Sequence, residues 1–95
     1  MTSRTELRIT PIAQSHIADI LQYTLTTWGP EQMDRYEGAL YEAFERIRAF
    51  PEIGLEVFEE HGRVRAHAMR HHNIYYLQEP GTVTILRIIN PRQRR

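Results

Sequence analysis

Between Pro11 and Phe50 apolar residues recur every three or four positions, and from Gly62 to Ile89 they recur every second one. The first spacing matches the turn of an α-helix and the second the pleat of a β-strand. Ile12, Ala13, Ile17, Ile20, Leu21, Leu25 and Trp28 form one helical stripe, with Thr10 as its N-cap and Pro11 at the first helical position. Gly29-Pro30 stops that helix and starts another, from about Glu31 to Phe50, whose stripe is Met33, Tyr36, Leu40, Ala43, Phe44, Ile47 and Phe50. Acids in its first turns suit the positive end of a helix dipole, and Pro51 and Gly54 end it. So short a connection predicts an antiparallel hairpin, each helix giving its stripe to one sheet. Glu31, Asp34, Glu37 and Glu45 then face solvent.

Residues 6–10 read as a short strand through the alternation of Leu7 and Ile9. After Gly62, Val64, Ala66 and Ala68 alternate with Arg63, Arg65 and His67. Two stronger strands, NIYYLQ (73–78) and TVTILRII (82–89), flank Glu79-Pro80-Gly81-Thr82, where proline second and glycine third fit a type II turn. The order is β-α-α-β-β-β, an α+β domain with a helical hairpin packed on one face of a mainly antiparallel sheet. Residues 1–95 read as one domain with a short basic tail at 91–95.

Composition narrows the setting. The chain has no cysteine, so packing alone must hold it, as suits a reducing cytoplasm. Nothing in it approaches the ~18 consecutive apolar residues of a membrane span, and the N-terminal stretch lacks the apolar region of a signal peptide. Net charge is zero, yet residues 1–60 hold 11 acids against 5 arginines, and residues 61–95 hold 7 arginines against Glu79 alone. Such asymmetry predicts an acidic or polyanionic partner for one part.

Candidate chemistry is sparse. His61, His67 and His71 share parity on an extended chain, but no His-x-x-x-His pair and no cysteine accompanies them, so no metal and no cofactor is expected. Ser3 and Ser15 lack a nucleophile elbow, no glycine-rich phosphate loop exists, and Glu59-Glu60 reads as solvated charge in a loop. Tyr75 and Tyr76 alternate across a strand, so one enters the core and the other lies on the open face. Arg87 projects from the last strand, Asn90-Pro91 ends it, and Arg92, Arg94 and Arg95 follow. Together with Arg63, Arg65 and Arg70 they predict either one positive patch on the face the helices leave open or, at the tail, a solvated terminus.

Several segments, in order, resemble the ParE branch of the RelE/ParE superfamily of bacterial toxin–antitoxin toxins. These are Ile9-Thr10-Pro11-Ile12-Ala13, then Tyr23-Thr24 through Trp28-Gly29, then QMDRYEGALYEAFERIRAFPEIG at 32–54, then Val64-Arg65, His72 to Tyr76, and Ile85 to Arg92. The resemblance implies the fold derived above, a non-enzymatic poison of DNA gyrase that stabilises the cleaved-DNA complex, and a ParD-like antitoxin as partner. Operator DNA would be met only through that antitoxin. Target-binding candidates are Arg65, Arg87, Asn90, Arg92, Arg94 and Arg95; antitoxin-binding candidates are Leu21, Leu25, Trp28, Tyr36, Arg63, Arg65 and Arg70. The alternatives are a RelE-like ribosome-dependent mRNA endonuclease using Arg65, His72, Tyr76 and Arg87, or an inert relative that only binds an antitoxin. Asn90-Pro91 stands where the family often has His-Gly, which removes a proton-transfer candidate and disfavours the nuclease.

Overall fold

The computed structural model describes residues 5–57 and 63–92. Expectations placed on Ser3, Glu59, Glu60, His61, Arg94 and Arg95 lie outside the described residues. In chain order the elements are β1 (Glu6–Ile9), α1 (Pro11–Trp28), α2 (Pro30–Ala49), β2 (Leu55–Glu56), β3 (Val64–Met69), β4 (His72–Glu79) and β5 (Thr82–Ile89). One sheet in the order β1-β5-β4-β3-β2 carries both helices on one face. Its β1 runs parallel to β5, and the other pairs are antiparallel. Among the described residues no helix is long and apolar enough to cross a membrane.

The helix boundaries follow from local chemistry. The Thr10 hydroxyl accepts the Ala13 N–H at 3.0 Å, and Pro11 spends no donor at the first position. Gly29 alone joins the helices: its N–H donates to the Leu25 carbonyl at 3.0 Å, and its carbonyl accepts the Met33 N–H at 3.1 Å. Its φ of 95° is one that glycine adopts without the steric cost a Cβ would bring. Ala13 and Ile17 of α1 and Tyr36, Leu40, Ala43, Phe44 and Ile47 of α2 are buried against Ile74, Tyr76, Val83, Ile85 and Ile88. Phe50, expected to extend the α2 stripe, is instead its exposed C-cap.

Three features differ from the sequence reading. The first is β2, an extra two-residue edge strand pairing Leu55 with Ala66, too short to show any alternation. The second is the face of β3. Directly paired residues share a face, and Arg65 pairs with Tyr76 and His67 with Ile74, so these polar side chains lie on the helix side. Val64, Ala66 and Ala68 pair with Leu77, Tyr75 and Asn73 on the open side. The expected single arginine patch on the open face is therefore not formed: Arg65 is on one side of the sheet and Arg87, paired with Tyr75, on the other.

The third is a bulge. Tyr75 pairs with Arg87 but Tyr76 pairs with Ile85, which leaves Leu86 without a partner on β4. Strict alternation from Val83 and Ile85 would turn Arg87 toward the helices. The extra residue reverses the parity, so Val83, Ile85 and Ile88 are all buried while Arg87 reaches the open face. Backbone groups around the bulge are satisfied from α1 and its cap. Thr10 donates its N–H to the Ile85 carbonyl at 3.1 Å and its hydroxyl to the Leu86 carbonyl at 3.2 Å, and His16 Nδ1 accepts the Ile88 N–H at 3.1 Å.

Thr10→Ala, which removes the helix cap and the Leu86 bond together, should destabilise the protein by about 1–2 kcal/mol in urea unfolding. A loss below about 0.5 kcal/mol, no more than an ordinary surface substitution, would show that the cap does not hold α1 to the bulge.

Candidate functional site

The two ends of the sheet are built in opposite ways. At one end the loop after α2 is tied down by β3 and β4. Tyr76 is fully buried on the central strand, and its hydroxyl donates to the Pro51 carbonyl at 2.6 Å and accepts the Gly54 N–H at 2.9 Å. A Cβ on Gly54 would lie 2.8 Å from that hydroxyl and 2.9 Å from the Ala66 carbonyl oxygen, so glycine is required there. Beside it Arg65 donates to the carbonyl of Gly54 at 2.7 Å, to that of Glu52 at 3.4 Å and to Gln78 Oε1 at 2.9 Å, and it lies 3.5 Å from Glu56. The cavity of about 740 Å³ that Arg63, Arg65, Glu52 and Gln78 help to line thus has one of its guanidinium groups committed to the fold.

At the other end the helices, the β3–β4 turn and the end of β5 leave a cavity of about 750 Å³. Its walls are Asp19, Ile20, Tyr23, Thr24 and Trp28 from α1, Gln32 and Tyr36 from α2, and His71, His72 and Asn90 from the sheet. The Tyr36 hydroxyl and His72 Nδ1 are 2.5 Å apart, with the rings edge to face. Burial raises the Tyr36 pKa against the opposing pull of Arg70, and burial, then His71, lowers that of His72. Both shifts favour the uncharged forms, a protonated phenol beside a neutral imidazole. Arg70 has a φ of 56° in the two-residue turn and carries its guanidinium 5.9 Å from the centre of the Tyr36 ring. Next to this cavity Asn90, Pro91 and Arg92 line a depression with Arg70, His71 and His72, and Asn90 Oδ1 accepts the Arg92 N–H at 2.9 Å.

The open face of the sheet holds a third arrangement, in which Arg87 lies 4.8 Å over the Tyr75 ring. Trp28, Tyr36, His72 and Asn90 are therefore brought together, with Arg70 and Arg92 adjoining. Arg63 and Arg65 sit at the opposite end of β3, Leu21 packs on the core, and Leu25 is exposed without lining the cavity. The four nuclease candidates do not converge: Tyr76 is buried under the loop, Arg65 is bound to it, His72 faces Tyr36, and Arg87 is across the sheet. Sequence reasoning missed Asp19, Tyr23, Gln32 and His71 as cavity residues. Tyr23 lay off the predicted apolar stripe, and the others gain their meaning only through contacts distant in sequence.

A helical hairpin on a mixed sheet of this order has close structural counterparts. A structure of the chromosomal ParDE toxin–antitoxin system from P. aeruginosa superposes with a TM-score of 0.78 at 18% identity, covering 94% of this chain and 98% of that one. A chain of the toxin–antitoxin complex RelBE2 from Mycobacterium tuberculosis gives 0.69 at 19% identity, covering 95% and 94%. The fold is thus the one that these two structures share. Within it, a family described as the ParE toxin of the type II toxin–antitoxin system parDE matches residues 7–95, so the chain belongs to the ParE toxins. Toxin ParE1 of Mycobacterium tuberculosis is 29% identical over 85 residues, 88% of this chain and 87% of that relative.

Tyr76→Phe should cost about 1–3 kcal/mol, because it leaves the Pro51 carbonyl and the Gly54 N–H buried without their partner. Equal unfolding midpoints in urea would show that water replaces the hydroxyl.

Stability should also depend on pH. His67, lowered by burial and then by Arg46, and His72 both titrate below the ordinary histidine value of 6.5. The unfolded chain therefore binds protons that the folded chain refuses, so the stabilisation is full above about pH 6.5 and is lost as pH falls through the lowered folded values. The melting temperature should drop between pH 7.5 and 5, and His67→Leu should reduce the drop; an unchanged slope would remove His67 from the account.

Proposed function

We propose that this ParE toxin acts without catalysis as an inhibitor of DNA gyrase, trapping the enzyme with its DNA cut, and that a ParD-like antitoxin neutralises it. The observation that carries the reading is the family match over residues 7–95, a span that includes Arg92, Arg94 and Arg95. The scattering of Arg65, His72, Tyr76 and Arg87 supports a binding role over strand cleavage, since a nuclease must hold a phosphate and a proton-transfer group within one hydrogen bond of each other. Arg87, Asn90, Arg92, Arg94 and Arg95 are the residues assigned to the target, and Arg65 serves the loop. Action on gyrase places the toxin in the cytoplasm, and operator DNA is reached through the antitoxin alone.

The test is pulse labelling of DNA, RNA and protein synthesis just after induction of the chain alone in a bacterial host. DNA synthesis should stop first, with cleaved DNA–gyrase complexes accumulating. Removal of residues 93–95 together with Arg92→Ala should abolish growth arrest while leaving antitoxin binding intact. Arrest of translation first, with cut transcripts, would instead assign the protein to the mRNA endonucleases, and no arrest by folded protein would make it an inert relative.

A further inference from the structure

The outer face of α2 carries a pattern that the fold does not use. Leu40, Phe44 and Ile47 point to the core, and on the opposite side Glu31, Arg35, Gly38, Glu42 and Arg46 follow at intervals of three or four, all exposed. Gly38 stands in the middle of a 20-residue helix, where glycine is less favourable than alanine. A Cβ there would meet nothing within 4 Å, so no contact inside the chain calls for glycine. Its bare backbone lies in a shallow groove of about 540 Å³ bordered by Tyr41, Ala49 and Phe50, with Tyr41 and Phe50 42% and 66% exposed. Glu31 and Arg35 stand four apart, as do Glu42 and Arg46, yet neither couple is among the ion pairs of the described residues.

These charges are arranged symmetrically. Arg35 and Glu42 lie equally far on either side of the Gly38-Ala39 step, and so do Glu31 and Arg46. Two copies of α2 packed antiparallel about a two-fold axis at that step set Arg35 of each against Glu42 of the other, and Glu31 against Arg46, every contact occurring twice. Gly38 falls at the axis, where the helices come nearest and a side chain would hold them apart.

We propose that the toxin self-associates through this face as a two-fold α2–α2 dimer, the occupant of the groove being a second copy of the chain. A uniformly acidic or basic partner would meet like charge at two of the four positions, whereas a reversed copy matches all four. The helix is about 30 Å long, so the contact lies at the small end of specific interfaces and the dimer is of micromolar affinity. Gln32 and Tyr36, the α2 residues of the cavity, lie off the stripe, so each copy keeps its cavity clear of the contact. The inference does not depend on what the toxin acts upon.

The full chain, purified alone, is followed by sedimentation equilibrium from about 1 to about 200 μM, a range that spans a micromolar Kd. Its mass should rise from 11.3 kDa toward twice that value. Gly38→Leu should stay at the monomer mass throughout. Its melting temperature in dilute solution should not fall, because leucine is the better helix former and its Cβ meets nothing. Arg35→Glu should raise Kd about tenfold by setting carboxylate against carboxylate twice, and adding Glu42→Arg should restore it by reversing the pair. A monomer at every concentration, a dimer that Gly38→Leu and Arg35→Glu leave unchanged, or a double variant no tighter than Arg35→Glu alone would overturn the proposal.

Discussion

Leu86 has no partner on β4, and that one extra residue determines which side chains of β5 meet the helices. Without it, Arg87 would turn into a core formed by Phe44, Ile47, Tyr76 and Ile85, where an uncompensated guanidinium is not tolerated. With it, Ile85 and Ile88 both point inward across the reversal. A bulge exposes backbone groups that need partners, and here they are met by Thr10 and His16, so the start of α1 is fastened to the point where the sheet changes parity. Placement of α1 sets the hairpin, and placement of the hairpin sets the cavity at its far end.

The two ends of the sheet express different uses of polar side chains. Where the loop after α2 crosses β3 and β4, the Tyr76 hydroxyl and the Arg65 guanidinium are consumed by backbone groups of Pro51, Glu52 and Gly54. A burial that would otherwise orphan several peptide groups becomes permissible. At the hairpin end, Trp28 and Tyr23 remain open to solvent, and the hydroxyl of buried Tyr36 meets His72 Nδ1 at the cavity wall. Polar side chains are committed to the backbone at one end, and large aromatic rings lie open to solvent at the other.

The fold depended on signals that are local. Thr10-Pro11, Gly29-Pro30 and Pro80-Gly81 restrict the backbone wherever they occur, and the helical and strand periods are visible without knowing any partner. The hairpin, the turn and the central strands therefore stand where the residue pattern places them. Two-residue β2 carried no period, and β3 misled because its alternation was real but its facing was not intrinsic. Ala66 and Ala68 suit a solvent-facing surface as well as a core, whereas Arg65 can bury its stem and still reach carbonyls of the loop.

By itself, then, the sequence determined element types, their order, the charge asymmetry between the two parts of the chain and the resemblance to ParE toxins, because each is a property of neighbours along the chain. Which face β3 turns inward, the bulge at Leu86, the capture of Arg65 by the loop and the meeting of Trp28, Tyr36, His72 and Asn90 were decided only by the tertiary structure. Each depends on strand register, and register is settled by packing between residues far apart in sequence, where a shift of one position exchanges every inward side chain for an outward one.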